Sequence, residues 1–221
     1  GAEVYRTVDG GRTWARTHAA DLLIFPSIGW YFADIYLNPK DDEEVYALGV
    51  RIAHSRDGGR TFGLLGGDVF HLIPNPAQTL HLDHCEMWID PGDPAHLAVG
   101  NDGGVYTTYD RGRTWLHHNN IPVGEFYDIS VDNQVPYRIY GGTQDDASVF
   151  GPASEWDRRF ADDWRYVWLD PWSGGDGCYT FADPEDPATV YFSSQNGAAR
   201  RQDARTGQSV SIMPRLPKGV K

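Results

Sequence analysis

The stretch Ser55–Phe62 reads SRDGGRTF. Near-copies stand at Thr7–Trp14 (TVDGGRTW) and at Thr108–Trp115 (TYDRGRTW). Each has a hydroxyl residue, an Asp two places on, a Gly two places further, then Thr and an aromatic residue. The Asp carboxylate can accept N–H groups across a turn, Gly admits positive φ, and the ring is a large apolar anchor. Such a turn joins two antiparallel strands. Asp9, Asp57 and Asp110 lie 48 and 53 residues apart, which is the spacing of a repeat architecture.

A second element interleaves with these turns. Leu37–Gly49 (LNPKDDEEVYALG), Ile89–Gly100 (IDPGDPAHLAVG), Val131–Gly142 (VDNQVPYRIYGG) and Ala182–Ser194 (ADPEDPATVYFSS) share one plan. An apolar strand runs into an Asx/Pro turn, and a strand rich in Val, Tyr and Leu follows. For the second full unit the pattern predicts strands at 84–89, 96–100, 104–108 and 113–117. Four antiparallel strands in roughly 45–50 residues is the size of a propeller blade. The expectation is an all-β propeller, or a fragment of one, spanning 1–221. Its blades fall near 30–66, 84–117, 125–168 and 178–213, with a partial blade at 3–17. In blade three WDRRFADDWRYVW replaces the Asp turn, and blade four carries the variant RQDARTGQS. Asp9, Gly11, Trp14, Asp57, Gly59, Phe62, Asp110, Gly112 and Trp115 are structural in this reading, with the ring packing between blades.

Composition narrows the function. The formal net charge of −12, without a basic stripe, argues against nucleic acid and anionic membrane as partners. No apolar run approaches 18 residues, so no membrane insertion is expected. The opening GAEVYRTVDGG starts in mid-motif, as expected of an excerpt of a longer protein. Cys85 and Cys178 fall at equivalent places two blades apart and are expected to be free, buried thiols.

The turns resemble the Asp-box, or BNR repeat, of sialidases, family 74 xyloglucanases, sortilin-type receptors and photosystem II assembly factors. Three longer stretches, beginning HLDHCEMWIDPGDPAHLAVGNDGG, IPVGEFYDISVDN and GGDGCYTFADPEDPATVYFSS, look like large bacterial proteins described as glycosyl hydrolase or sortilin-like. The resemblance implies tandem propellers, a secreted or periplasmic location, and a polysaccharide or oligosaccharide ligand. Family 74 enzymes invert configuration with two Asp residues. The resemblance places one of these in a Gly-rich segment ahead of an inner strand, where this chain has Asp176.

In a propeller, the loops between second and third strands open on the face where the inner strands begin. Three stretches map there. HLDHCEMW (81–88) offers His81, Asp83, His84 and Trp88, with His84, Glu86 and Trp88 sharing one side of a strand. Asp83 there is a candidate general base. His81, Asp83 and His84 could instead hold a divalent cation, the sole cofactor envisaged. SGGDGCYTF (173–181) offers Asp176. The short loops offer Asp102, Gln144 and Asp145, and Glu125 in PVGEFYD is a further acid.

Inverting hydrolysis needs one protonated and one ionised carboxyl roughly 6.5–9.5 Å apart. Asp83 and Asp176 are the preferred pair. Trp30, Trp88, Trp156, Trp164, Trp168 and Trp172 could stack on sugar, with core packing the competing role. Three readings stay open: a glycosidase on xyloglucan or another β-glucan, a sortilin-like propeller binding peptide or glycan without turnover, and a metal-supported hydrolase. Open blade edges also allow self-association.

Overall fold

The computed structural model describes residues 3–20, 22, 29–31, 33–65, 80–118, 120–121, 123–153, 165–167 and 175–214. They fall into two compact units, 1–122 and 123–221. Among the described residues the only helical element is one 3-10 turn, Gln195–Gly197. The fold class is all-β, in antiparallel blades of the propeller type.

The first unit holds a hairpin and two four-stranded sheets. The hairpin pairs β1 (Tyr5–Arg6) with β2 (Ala15–Arg16). The first sheet runs in chain order through β3 (Asp34–Asn38), β4 (Asp41–Leu48), β5 (Ile52–Ser55) and β6 (Gly63–Leu64). The second runs through β7 (His84–Ile89), β8 (Leu97–Asn101), β9 (Gly104–Thr108) and β10 (Leu116–His117). Tyr46, Leu48 and Ile52 of the first sheet and Met87, Leu97, Val99, Tyr106 and Trp115 of the second bury into one core. A fully buried side chain of this size contributes about 1.5–3 kcal/mol.

The second unit has the same plan. One sheet orders β11 (Phe126–Val131), β12 (Arg138–Thr143), β13 (Asp146–Pro152) and β14 (Arg165–Val167). A short strand β15 (Gly175–Asp176) pairs in parallel with β13. The other sheet orders β16 (Thr180–Ala182), β17 (Thr189–Ser193), β18 (Ala199–Asp203) and β19 (Ser209–Ser211). Tyr140, Phe150, Val190, Phe192 and Ala204 form its core.

The Asx turns between first and second strands recur in all four sheets. Oδ1 of Asn38, Asp90, Asp132 and Asp183 accepts the N–H two residues on, at 2.8, 2.7, 3.1 and 2.9 Å.

The three aspartate turns are near-identical. The hydroxyls of Thr7, Ser55 and Thr108 each donate to the Asp Oδ1 at 2.8 Å. The same oxygen accepts the N–H of Thr13, Thr61 or Thr114, at 2.9 Å each time. Oδ2 accepts the threonine hydroxyl at 2.6–2.7 Å. The glycine two residues after each aspartate has φ of 88, 84 and 82°. The preceding position is Gly10, Gly58 or Arg111, at φ of 71, 71 and 61°, so Arg111 occupies a left-handed conformation that normally favours glycine.

Three expectations need correction. The aromatic residue is not always packed: Trp115 is 4% exposed and Phe62 is half-buried, but Trp14 is 61% exposed. Cys85 is an exposed free thiol rather than a buried one, and Cys178 is half-buried. His84, Glu86 and Trp88 do not share a side. His84 pairs with Asn101 and Glu86 with Gly100, so Cys85 is an extra, bulged residue. The bulge resets the alternation, burying His84 with Met87 while Glu86 and Trp88 face solvent. WDRRFADDW, Trp156, Trp164, Trp168 and Trp172 lie outside the described residues.

Candidate functional site

In the first unit the segment leading into β7 meets two turn loops. Asp83 N donates to Val50 O at 3.2 Å and His84 N to Gly49 O at 3.0 Å, both in the β4–β5 loop. Asn101 Nδ2 reaches His81 O at 3.3 Å and His84 Nδ1 at 3.4 Å. Gly103 lies against His81: a Cβ there would come within 2.6 Å of the His81 Cβ. Asp102 sits in that same β8–β9 turn. His81, Asp83, His84 and Asp102 are therefore gathered at one end of the second sheet. Asp83 has φ of 62°, a conformation Asp tolerates better than most residues.

The imidazole of His84 is 3% exposed. Burial, assisted by the nearby His81, lowers its pKa to about 3, so it is neutral at ordinary pH. Partial desolvation of the Sγ pushes the Cys85 thiol up although the residue is exposed, and the carboxylates of Asp102, Asp83, Asp34 and Glu86 add to that shift.

Trp88 is at the opposite end of β7. Its ring meets His96 edge-on at 5.3 Å, and His96 stacks on Tyr109 at 4.4 Å. Asp90 Oδ2 lies 3.2 Å from His96 Nδ1 and fixes that ring. The structure thus separates Trp88 from the acids with which the sequence grouped it. Trp30 is 83% exposed beside Tyr31.

The second unit builds a tighter cluster. Gln144 N donates to Glu125 O at 2.9 Å. In the amide orientation that satisfies both groups, Gln144 Nε2 donates to the two Glu125 carboxylate oxygens at 3.3 and 3.1 Å. Asp145, at φ of 54°, directs its N–H to Asp176 Oδ1 at 3.2 Å. Tyr127 Oη donates to the same oxygen at 3.3 Å. Burial raises the Tyr127 pKa to about 12, helped by Asp176, Asp145 and Glu125, so its proton stays in place.

Asp176 is positioned by backbone. Gly177 N bonds Thr143 O, and Cys178 N bonds Ser193 O, both at 2.9 Å. The approach leaves no room for side chains. A Cβ on Gly142 would lie 2.1 Å from Cys178 O, and one on Gly177 would lie 1.9 Å from Ala147 O. Glu125, Gln144, Asp145 and Asp176 are thus brought together by the start of β11, the β12–β13 loop and β15. Tyr127 was missed in the sequence, where it reads as one more aromatic strand residue. Phe126 pairs with Thr143 and Asp128 with Gly142, so Tyr127 is the extra residue of a bulge, as Cys85 is in the first unit.

No protein-family model matches the chain, and no curated protein does. Solved structures give distant likenesses. A GH74 xyloglucanase from Xanthomonas campestris is 16% identical over 98% of this chain and 35% of its own, with a TM-score of 0.32. An ancestral GH74 enzyme is 12% identical over 80% of this chain, with a TM-score of 0.32. This chain spans 26% of that enzyme. YCF48 bound to D1 peptide is 14% identical over 96% of this chain and 76% of its own, with a TM-score of 0.33. At these values the likeness bears on neither reaction nor ligand, and the fold class rests on the strand pattern itself. No described helix is long and apolar enough to cross a membrane.

Proposed function

We propose that this chain is part of an Asp-box propeller glycosidase, secreted or periplasmic, that hydrolyses a polysaccharide of the xyloglucan or β-glucan type. The observation that supports this reading is the carboxylate cluster of the second unit. Asp176 Oδ1 is oriented by Tyr127 and by the Asp145 N–H. Glu125 is held beside the same loop by Gln144. In an inverting reaction one carboxylate takes a proton from water while the other, protonated, delivers one to the leaving oxygen. Asp176 and Glu125 are the pair proposed to share these two roles. Asp83, gathered with His81, His84 and Asp102 in the first unit, is the further acid. A second reading, glycan binding without turnover, draws on the surface run of Trp88, His96 and Tyr109.

The test is a hydrolysis screen on xyloglucan, mixed-linkage glucan, xylan and sialosides, with and without chelator. Wild type is compared with Asp176→Asn, Glu125→Gln and Asp83→Asn. Turnover that falls at least about 100-fold in Asp176→Asn, with folding retained, supports the assignment. Turnover unchanged in all three variants, or absent from folded wild type on every substrate, refutes it. Turnover abolished by chelator would instead favour metal-supported hydrolysis.

A further inference from the structure

The two sheets of the second unit border a cleft of about 390 Å3, a size suited to a small ligand. Its walls include Gln134 of the β11–β12 turn, Arg138 at the start of β12, Asp186 and Ala188 of the β16–β17 turn, and Ala204 and Arg205 after β18. Arg138 opens β12 and Gln144 follows its end. At about 3.3 Å per residue, the cleft is roughly 20 Å from the carboxylate cluster around Asp176.

The repeat shows what is particular about Arg138. Val45, Leu97, Ile139 and Val190 pair with Leu37, Ile89, Val131 and Ala182, the residues just before each Asx turn. One place earlier stand Glu44, His96, Arg138 and Thr189. Three of these spend their side chains on their own turn. Glu44 Oε2 accepts from Asn38 Nδ2 at 2.5 Å, His96 Nδ1 lies 3.2 Å from Asp90 Oδ2, and Thr189 Oγ1 donates to Asp186 Oδ2 at 2.9 Å. Arg138 gives its turn only the main-chain N–H, to Asp132 Oδ1 at 2.9 Å. That oxygen also takes the Gln134 N–H, and Oδ2 takes Gln134 Nε2 and the Tyr140 hydroxyl, so four donors already occupy Asp132. The guanidinium of Arg138 lines the cleft instead.

The matching boundary in the first unit shows which chemistry fits there. Gly58, Arg111 and Ala204 are equivalent, each donating its N–H to the carbonyl of Glu43, Ala95 or Ala188. Against the cost of burial, Asn38, His54 and the guanidinium of Arg111 hold the Glu44 carboxyl low. There a carboxylate on one sheet answers a guanidinium on the next. In the second unit the guanidinium, Arg138, has the Glu44 place, and the Arg111 place is the methyl group of Ala204. Arg205 is fixed beside it, by Asp203 at 3.1 Å and Asp186 at 3.2 Å. In a chain of net charge −12, this wall carries two guanidiniums and one carboxylate.

We propose that this cleft is an accessory binding site for a uronic-acid residue, whose carboxylate docks on the Arg138 guanidinium. A planar guanidinium takes a carboxylate through two parallel N–H bonds. Asp186 and the Gln134 amide beside it are acceptors for sugar hydroxyls, which an acidic peptide side chain does not bring. The choice of a sugar acid rests on the polysaccharide reading above; the choice of a carboxylate rests on Arg138 alone.

The test follows backbone amide shifts of the isotope-labelled chain by NMR at neutral pH. Glucuronate is added and compared with its methyl ester, with glucose and with N-acetylglutamate amide. Glucuronate is expected to shift the amides of Gln134, Arg138, Ala188 and Arg205 saturably. The ester and glucose should bind at least about 10-fold more weakly, because they lose a charged hydrogen-bond pair. Arg138→Ala and Arg138→Gln should weaken glucuronate by a similar factor while the rest of the spectrum stays in place; Arg113→Ala, an exposed change in the first unit, should not. No saturable shift at these amides, an ester that binds as well as the acid, or binding indifferent to both Arg138 variants would each overturn the proposal. Tighter binding of N-acetylglutamate amide than of glucuronate would overturn the sugar assignment in favour of an acidic peptide. The readout needs no turnover. Glucuronate failing to bind a chain that hydrolyses a neutral glucan sinks this site alone, and glucuronate binding to a chain without hydrolysis sinks the glycosidase alone.

Discussion

Tyr127 Oη and the Asp145 N–H converge on a single oxygen, Oδ1 of Asp176, at 3.3 and 3.2 Å. The phenol is therefore a permanent donor to that carboxylate. Because burial and the acids around it raise its pKa to about 12, removing the Asp176 charge should lower it. A spectrophotometric tyrosine titration of Asp176→Asn against wild type should show one phenol ionising earlier. Identical curves would mean that Tyr127 does not sense Asp176.

The close approach of segment 175–178 to β12 and β13 should be intolerant of any side chain at two glycines. Gly142→Ala and Gly177→Ala both force Cβ into backbone at 2.1 and 1.9 Å. Each is expected to cost more than about 3 kcal/mol or to prevent folding. Gly100→Ala, with nothing among the described residues within 4 Å of its Cβ, is the control and should stay within about 1 kcal/mol. Urea unfolding compares the three.

His84 should make stability depend on pH. Unfolded histidine titrates near 6.5, whereas the folded group titrates at about 3. Its contribution is fully present above pH 6.5 and is lost as pH falls toward 3, at up to about 1.4 kcal/mol per pH unit. His54, also lowered by burial, adds to the slope despite its bond to Glu44. The difference between wild type and His84→Gln isolates the first group. A folded-state NMR titration with a midpoint near 6 would remove the basis for this expectation.

The aspartate turns should govern the next acid step. Asp57 is held at about 2 by the Thr61 hydroxyl, the Thr61 N–H and the Ser55 hydroxyl. A depressed carboxyl stabilises the fold above its unfolded value near 3.9, and the effect is lost as pH falls toward 2. Asp57→Asn keeps one acceptor and loses the other, so it should be less stable at pH 7 and less sensitive between pH 4 and 2. Thermal melts at pH 7, 4 and 3 would show this, and parallel losses in both proteins would contradict it.

Much of the architecture was legible because turn chemistry is local. The second sheet was expected at 84–89, 96–100, 104–108 and 113–117, and its inner three strands lie within one residue of that. The bulges at Cys85 and Tyr127 were not legible, since one unpaired residue depends on the partner strand's register rather than on composition. For the same reason strict alternation groups Trp88 with His84 and carries no sign of the phenol aimed at Asp176. Trp14 and Trp115 occupy one motif yet differ in burial, and the Leu65 side chain that packs against the Trp115 core comes from a different sheet. That Asp83, Glu125 and Asp176 stand ahead of inner strands follows from strand order alone; what holds those segments, main-chain contacts of Gly142, Gly177 and Val50, carries no side-chain signature.

The close approach of Gly177 to the third sheet also bears on motion. Segment 175–178 shares hydrogen bonds with β13, Thr143 and Ser193, and Gly177 with Gly142 of β12 leaves no slack between the two. It should open only when that sheet opens, so its amides should exchange with solvent as slowly as those of β12. Asp176 then cannot travel on a hinged lid, and adaptation to a bound molecule falls to side-chain rotamers.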